Sequence, residues 1–394
     1  MEVLNHSEKT EDKALEERDV QISPREYRRY GRHIIIPEVG LAGQRRMKAA
    51  RVLVIGTGGL GSPCSLYLSA AGVGTIGLID FDAIDETNLH RQILYTDKDV
   101  GKSKVQTAMQ RLQEANPNTI IKTYEESLTS ENVLEIFKSY DIIVDGTDNF
   151  PTRYLTNDAC VKLGKPNVYA SIFRFEGQAT VFDAKSGPCY RCLYPKPPPP
   201  GLVPSCAEGG VLGVLPGVVG LIQATETVKL ILKKGEPLIG RLLVYDALEM
   251  SFDELKIKKN PNCPVCSKDP QNIKLIDYQQ FCGIEATPQI AVVTPEELSA
   301  EIQKGKKVRL IDVREPHEYE IAHIEGSTLI PLGQLPDRVS ELDSADETVM
   351  YCHTGGRSAR ATAFLRGLGY RKVRNLEGGI DAWAVEVDPS MNRY

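Results

Sequence analysis

The sequence predicts an α/β protein with a doubly wound, Rossmann-like nucleotide-binding domain and a second, smaller α/β domain. Three observations lead to this fold class. The chain has 394 residues, which is more than one ordinary hydrophobic core contains. The run RVLVIGTGGLG places a glycine-rich turn directly after an apolar strand segment. Strand and helix patterns begin again near Ile290, after a stretch without periodicity, and no repeat relates the two halves.

The first domain alternates strand and helix segments from Arg51 onward. RVLVIG, TIGLID and YDIIVDGTDN are predicted strands, and SLYLSAAG and DVGKSKVQTAMQRLQEANP are predicted helices. After a proline-rich stretch over residues 195–204, VLPGVVGLIQATETVKLILKKG is a predicted helix and RLLVYDAL a predicted strand. Such alternation indicates a mostly parallel sheet, which binds ligands beyond the carboxyl ends of its strands.

The second domain repeats this strand and helix alternation on a smaller scale. KKVRLIDV is a predicted strand, ETVMYCHTGG a strand with its following loop, and SARATAFLRGLGY a helix. We therefore predict a disordered lead-in over residues 1–22, a nucleotide-binding domain over 23–267, a linker over 268–288 and the smaller domain over 289–394.

Composition excludes several classes of protein. The chain is 41% hydrophobic and 25% charged, and its net charge of −6 argues against nucleic-acid binding. No apolar run reaches the roughly 18 residues that span a bilayer, and the polar N-terminus lacks the apolar centre of a signal peptide. Nine cysteines without an export signal indicate metal ligands and reactive thiols rather than disulfides. We therefore expect a cytoplasmic protein with no membrane partner.

The glycine-rich turn predicts a nucleotide site. Glycines at these positions let the backbone approach phosphates, and the following helix N-terminus supplies free N–H groups. Asp80 ends the next strand, where a carboxylate can bind a ribose hydroxyl. A plain tight turn is the alternative, and the turn alone does not separate ATP from NAD. The four glycines of the turn are Gly56, Gly58, Gly59 and Gly61.

A set of polar side chains after these strands favours ATP over NAD. Arginine and lysine neutralise the charge that builds on a leaving pyrophosphate, and an aspartate can hold Mg²⁺. Taken one at a time, the same residues would be ordinary solvated surface charges. The set is Asp82, Asn88, Arg91, Lys104 and Asp148.

Long motifs around these residues resemble the MoeB and ThiF group of activators of ubiquitin-like proteins. The motifs are RYGRHIIIPEVG, GTGGLG, DFDAIDETNLHRQ, VGKSKV and DGTDNFPTRY, and the resemblance covers about residues 23–266. It implies that Asp80 binds the ribose, that Asp148 holds Mg²⁺ and is essential for adenylation, and that Arg32 reaches into the partner's ATP site in a homodimer. It also implies phosphate contacts from Asn88, Arg91 and Lys104.

Two Cys-x-x-Cys pairs predict a structural zinc site, because four thiolates suit tetrahedral Zn²⁺ with no open position. A pair of redox dithiols is the alternative. The resembled MoeB-like family has the same arrangement. The four cysteines are Cys189, Cys192, Cys263 and Cys266.

Four cysteines lie outside these pairs in the first 290 residues. Cys206, in VPSCAEGGVLG, is a candidate nucleophile on an exposed loop, with a small buried side chain as the alternative. In sulfur-loading relatives the loop cysteine forms a transient link with the carrier, whereas in MoeB-type members the matching cysteine is dispensable. Cys64, Cys160 and Cys282 are predicted to be structural.

The segment Cys352-His-Thr-Gly-Gly-Arg-Ser, between a predicted strand and a predicted helix, is typical of an anion cradle. Loop N–H groups and a helix N-terminus face the cysteine, and Arg357 adds positive charge. A tyrosine-phosphatase-like loop is the alternative. Those enzymes have five residues between the cysteine and the arginine, whereas this chain has four, and the smaller loop favours sulfur transfer over phosphate binding. The flanking runs LIDVREPHEYEIAHIEGSTLIP and LEGGIDAW resemble rhodanese sulfurtransferases over about residues 288–387, with Asp312, Arg314 and His323 as structural or rim residues.

The whole chain resembles fused MoeB–rhodanese proteins. The resemblance implies ATP-dependent adenylation of a ubiquitin-like carrier (MoaD- or ThiS-like) that ends in Gly-Gly, followed by sulfur transfer from a Cys352 persulfide. The thiocarboxylate would serve molybdenum cofactor biosynthesis or thiamin, cysteine or tRNA thiolation, with thiosulfate or a cysteine desulfurase as sulfur donor. The alternatives are an activator that forms a thioester through Cys206, an NAD-linked oxidoreductase and a non-enzymatic scaffold.

Overall fold

The computed structural model describes residues 15, 18–198, 209–283 and 290–394, and it divides the chain into two compact units, Met1–Gly283 and Ile284–Tyr394. Both units are α/β, as the sequence predicts.

The first unit is built on an eight-stranded sheet of order β3-β2-β1-β4-β5-β6-β7-β8. Strands β1 to β5 are parallel to their neighbours, whereas β5 to β8 pair antiparallel, so the sheet is parallel in one half only. The strands are β1 Arg51–Ile55, β2 Thr75–Ile79, β3 Ile120–Tyr124, β4 Ile142–Asp145, β5 Asn167–Phe173, β6 Glu176–Phe182, β7 Arg241–Asp246 and β8 Ser251–Lys256.

Helices cover this sheet. They are Pro24–Arg29, Gly31–Ile34, Gly40–Ala49, Gly61–Ala71, Lys104–Ala115, Val133–Lys138, Phe150–Leu163, Tyr190–Leu193, Leu215–Leu232 and Tyr278–Phe281. By length and composition, Leu215–Leu232 is the one described helix that could cross a membrane, and more than half of it is buried within the first unit. It contacts the helix Gly61–Ala71 and strands β5 and β6.

Segments on both sides of the predicted nucleotide-binding domain, residues 23–267, pack against the first unit. The lead-in was predicted over residues 1–22, but Arg18 pairs with Asp141 at 2.7 Å and Ile22 is buried. The linker was predicted from residue 268, but Ile273 and Tyr278 are also buried in the first unit. An ion pair and single apolar side chains anchor these segments, and such isolated anchors produce no periodic pattern in the sequence.

The second unit is built on a parallel five-stranded sheet of order β11-β10-β12-β13-β9. Side chains alternate across β12, so Met350 packs in one apolar cluster while Val349 and Tyr351 pack in the other. The strands are β9 Val292–Val293, β10 Arg309–Asp312, β11 Thr328–Leu329, β12 Thr348–Tyr351 and β13 Val373–Leu376, and the α-helices are Pro295–Gln303, Pro316–Ile321, Leu335–Arg338, Gly356–Gly367 and Gly379–Glu386.

Candidate functional site

The glycine-rich turn lies where the strand order of the first sheet reverses. β1 lies between β2 and β4, and all three are parallel, so their carboxyl ends meet at one edge, where such sheets bind ligands. The turn is tightly closed: Gly56 has φ +82°, and a Cβ on Gly61 would lie 1.9 Å from the Gly56 carbonyl oxygen. Only glycine fits at position 61, because the obstructing atom belongs to the backbone.

Asp80, at the end of β2, holds this turn in place. Its Oδ2 accepts hydrogen bonds from the Thr57 amide at 2.8 Å and the Thr57 hydroxyl at 3.0 Å, and its Oδ1 accepts one from the Asp82 amide at 3.0 Å. A carboxylate accepts about four hydrogen bonds, so the Asp80 side chain can take one more donor, such as a ribose hydroxyl.

The predicted cationic side chains gather around the turn. The Arg91 Cγ lies 3.7 Å from the position of a Cβ on Gly59, so Arg91 covers the turn. The Lys104 Nζ lies 2.8 Å from the Asp82 Oδ2, and only 8% of the Lys104 side chain is exposed. Asn88 belongs to the same segment, where its side-chain amide donates to Thr87 Oγ1 at 3.4 Å.

The segment after β4 adds two carboxylates with different surroundings. Asp148 is exposed to solvent. Asp145 is fully buried: its Oδ1 accepts from the Thr147 amide at 3.0 Å and the Thr147 hydroxyl at 2.6 Å, while its Oδ2 has no partner among the described residues. Burial raises the pKa of Asp145, although the nearby Arg153 opposes this shift.

Asp145 and Arg153 are not among the predicted site residues. Arg153 is buried, and its NH2 donates to the Thr147 carbonyl at 3.0 Å, so it holds the segment that carries Asp148. Asp145 is the last residue of β4, within the predicted strand YDIIVDGTDN. Its position at the carboxyl end of a strand is the feature of the sequence that could have identified it.

One predicted residue of the first unit, Arg32, makes none of these contacts. Arg32 is exposed on the helix Gly31–Ile34 and makes no hydrogen bond or ion pair with the rest of the described chain. Cys206 lies outside the described residues.

The two Cys-x-x-Cys pairs come together in space. Their four Sγ atoms lie within 4.8 Å of one another, with Cys189 to Cys263 at 3.5 Å and Cys192 to Cys266 at 3.4 Å. Tetrahedral zinc with bonds of about 2.3 Å separates its sulfurs by roughly 3.8 Å. Cys189 and Cys263 share one proton between their sulfurs, and this hydrogen bond lowers the pKa of Cys263 while it raises the pKa of Cys189. The arrangement fits a closed, structural Zn²⁺ site.

A buried ion pair connects this cysteine cluster to the helix Phe150–Leu163, which begins two residues after Asp148. Arg191 lies between Cys189 and Cys192 and makes two hydrogen bonds to Asp158, at 2.9 and 2.7 Å. Tyr278 donates to the same carboxylate at 2.8 Å. The cysteine cluster therefore helps to fix the position of the helix Phe150–Leu163, which follows Asp148 of the candidate nucleotide site.

We expect removal of metal from the cysteine cluster to lower the melting temperature by about 5–10 °C, because metal binding to such a site contributes directly to folding. Differential scanning calorimetry of the full chain with and without chelator, together with metal analysis, measures this. Cys263→Ser should give the same loss, and Cys64→Ala, a buried cysteine elsewhere in the same unit, should retain the metal. Purified protein that holds no metal and does not change on zinc addition would contradict the assignment.

The second unit places Cys352 directly after β12, at the start of a loop. Cys352 is 1% exposed, and its Sγ accepts hydrogen bonds from the Gly355 amide at 3.2 Å and the Ser358 hydroxyl at 3.4 Å. Gly355 has φ +93° and turns the chain into the helix Gly356–Gly367. The loop therefore surrounds the sulfur with donors that stabilise a negative charge. The sequence analysis did not assign a role to Ser358.

Arg357 is paired with a carboxylate that the sequence analysis also did not identify. Its NH1 and NH2 lie 2.6 and 2.7 Å from the two carboxylate oxygens of Glu318, and both side chains are buried. Burial alone would raise the pKa of Glu318, but Arg357 and the Glu315 amide lower it to about 2. Glu318 is thus ionised, and it offsets the positive charge that Arg357 was predicted to add.

The three residues predicted to be structural or rim residues divide into two groups. Asp312 and Arg314 form a fully buried ion pair at 2.6 Å, so they belong to the interior. His323 is exposed and stacks on Tyr319 with ring centroids 4.1 Å apart.

Two protein families match the chain, each over one of the units. The model of the ThiF family matches residues 30–265, and the model of the rhodanese-like domain matches residues 294–386.

Individual proteins match over one or both units. The probable adenylyltransferase/sulfurtransferase MoeZ of Mycobacterium tuberculosis is 50% identical over 95% of this chain and 96% of its own length. The sulfur carrier protein adenylyltransferase of Thermus thermophilus is 55% identical and covers 65% of this chain and 96% of its own length. The crystal structure of E. coli MccB with MccA-N7isoASN is 25% identical, with a TM-score of 0.52 over 57% of this chain and 69% of its own.

Proposed function

Because the chain belongs to the ThiF family and continues into a rhodanese-like domain, we propose that it adenylates the C-terminal glycine of a ubiquitin-like sulfur-carrier protein and then loads sulfur onto it. The chain is an adenylyltransferase and sulfurtransferase that uses ATP, like the relative that aligns over 95% of its length. The Thermus thermophilus relative, which corresponds to the first unit, is named for adenylation of a sulfur carrier.

The main support for the adenylation step is the position of Arg91 and Lys104 around the glycine turn, beside the segment of Asp148. A carboxylate oxygen of the carrier attacks the α-phosphorus of ATP. The bond from that phosphorus to the bridging oxygen breaks, and pyrophosphate leaves with the electron pair. Arg91 and Lys104 stabilise the charge on the leaving group, and the ion pair with Asp82 directs Lys104 toward this edge.

Asp148 is the residue that we propose to hold Mg²⁺, because its exposed carboxylate follows the strand that adjoins the turn. The metal would neutralise phosphate charge during the displacement. The buried Asp145 accepts its hydrogen bonds from Thr147, the neighbour of Asp148, and so fixes the backbone of this segment.

The second half depends on Cys352. We propose that its thiolate takes a sulfur atom from thiosulfate, which releases sulfite, or from the persulfide of a desulfurase. The outer persulfide sulfur then attacks the acyl-adenylate carbonyl and AMP leaves, which gives an acyl disulfide. A thiol attacks the Cys352 sulfur, which releases the thiocarboxylate and forms a disulfide that a second thiol reduces. Cys206, by its place in the sequence, is the candidate for the first of these thiols.

Three further features belong to this proposal. The enzyme acts as a homodimer in which Arg32, exposed and without a partner in the described chain, enters the ATP site of the second copy. It is located in the cytoplasm, and the thiocarboxylate supplies molybdenum cofactor biosynthesis or a related thiolation pathway.

The test is the intact mass of candidate carriers ending in Gly-Gly after incubation with the full chain, ATP, Mg²⁺, thiosulfate and a thiol reductant. We expect an increase that corresponds to the exchange of one oxygen for one sulfur, and none without ATP. An adenylated carrier that never gains sulfur would remove the second half of the proposal. A stable thioester that needs Cys206 but not Cys352 would favour the conjugating alternative.

A further inference from the structure

Residues 392–394, which we call the strap, lie beside the loop that leads from Cys352 to the helix Gly356–Gly367. Asn392 Nδ2 donates to the Ile321 carbonyl at 3.4 Å, at the end of the helix that carries Glu318. Arg393 makes two hydrogen bonds to Asp381, at 2.8 and 3.1 Å. The Asp381 amide in turn donates to the His353 carbonyl within the loop, at 3.1 Å. The strap therefore makes hydrogen bonds both to the helix that carries Glu318 and to Asp381, which contacts the loop.

Tyr394 makes the closest contacts between the strap and the loop. Its ring stacks on the ring of His353, next to Cys352 in the chain, with centroids 4.4 Å apart and an angle of 9° between the planes. Its hydroxyl donates to Glu318 Oε1 at 2.9 Å and accepts from Arg314 NH1 at 2.7 Å.

The Tyr394 hydroxyl thereby joins two buried ion pairs. Asp312 and Arg314 form one pair, and Glu318 and Arg357 form the other. Glu318 Oε1 has two donors, Arg357 NH2 at 2.7 Å and Tyr394. Without the hydroxyl, Glu318 Oε1 would keep only the donor from Arg357, and a buried carboxylate is less well stabilised when it loses one of its hydrogen bonds.

We propose that Tyr394 is a positioning residue for sulfur transfer, which orients Arg357 through Glu318 and holds His353 by stacking. This inference rests on the proposed role of Cys352 as the sulfur carrier. Arg357 lies in the first turn of the helix Gly356–Gly367, whose N-terminal end faces Cys352. A change in the orientation of Glu318 would therefore move Arg357, and with it the first turn of the helix that faces Cys352.

The test compares Tyr394→Phe with Tyr394→Ala in the full chain. Thiosulfate sulfurtransferase kinetics and the mass of the Cys352 peptide report persulfide formation. We expect Tyr394→Phe to lower kcat about tenfold, the size expected for a lost hydrogen bond to a charged group, with KM for thiosulfate changed less than about twofold. Tyr394→Ala should lower kcat further, because the stack on His353 is lost as well.

Nuclear magnetic resonance of the His353 ring separates the two contacts. The ring-current shift should persist in Tyr394→Phe and disappear in Tyr394→Ala. Tyr370→Phe is the matched control: its hydroxyl donates to the Leu342 carbonyl at 3.0 Å and the Val339 carbonyl at 3.2 Å in the same unit, and neither acceptor belongs to the Cys352 loop. This variant also loses the hydrogen bonds of a tyrosine hydroxyl in the second unit, here to neutral carbonyls, and it should keep its kcat.

Two results would overturn the inference. If both Tyr394 variants keep the kcat of the parent chain, or lose it only in proportion to the unfolded fraction, then Tyr394 merely contributes to stability. If Cys352→Ser still forms a persulfide on the chain, then the proposed function and this inference fail together. Loss of persulfide in Cys352→Ser with unchanged Tyr394 variants removes the inference alone.

Discussion

Replacing Cys352 with serine is expected to abolish sulfur loading, by at least about 10³-fold, and to leave adenylate formation within about twofold of the parent chain. Serine retains the hydrogen-bonding shape of the site, in which the Gly355 amide and the Ser358 hydroxyl face the sulfur. An alkoxide cannot form a persulfide, so the chemical step is removed while the loop is preserved.

Two assays separate the activities in this variant. ATP–pyrophosphate exchange in the presence of the carrier measures adenylation, and the intact mass of the carrier measures thiocarboxylate. Cys160→Ala is the control, because Cys160 is buried in the first unit and has no proposed role. Full sulfur loading by Cys352→Ser would show that another group carries the sulfur.

Replacing Asp148 with asparagine is expected to lower the rate of adenylation by about 10²–10³-fold, because the amide removes the charge that would bind Mg²⁺. Asparagine has nearly the same shape, and Asp148 is exposed, so the fold should remain stable. Persulfide formation on Cys352 should continue at the parent rate, since Asp148 belongs to the other unit.

The measurement is ATP–pyrophosphate exchange over a range of Mg²⁺ concentrations. Asp97→Asn, which neutralises another exposed carboxylate of the first unit, serves as the control and should leave the rate unchanged. The role of Asp148 would be wrong if its variant and this control had the same rate at every Mg²⁺ concentration.

Local sequence patterns predicted the parts of the sites that lie on continuous segments. The turn that begins at Gly56 follows β1 directly, and its glycines are required by backbone contacts within the turn itself. Cys352 likewise lies between a strand and a helix that the sequence predicts. The paired spacing of the four cysteines predicted their cluster, although the partners are 74 residues apart.

The partners of these residues could not be predicted, because they come from distant segments. Glu318 lies 39 residues from Arg357 in the chain, and Tyr394 lies 76 residues from Glu318. A glutamate in a helix and a tyrosine near the chain end have no distinctive spacing. The antiparallel strands β5, β6 and β8 of the first sheet were also not predicted, although β5 and β6, with seven residues each, are its longest strands.

The fold class and the two families could be read from the sequence, because both are encoded in motifs whose residues are close together along the chain. The same motifs supplied the candidate site residues, which stay predictions. The tertiary structure alone decided the charge balance around Arg357, the buried state of Asp145 and the attachment of the strap. These three features depend on how deeply each side chain is buried and on which distant residue supplies its ion-pair or hydrogen-bond partner. Both are properties of packing between segments, and no local pattern contains them.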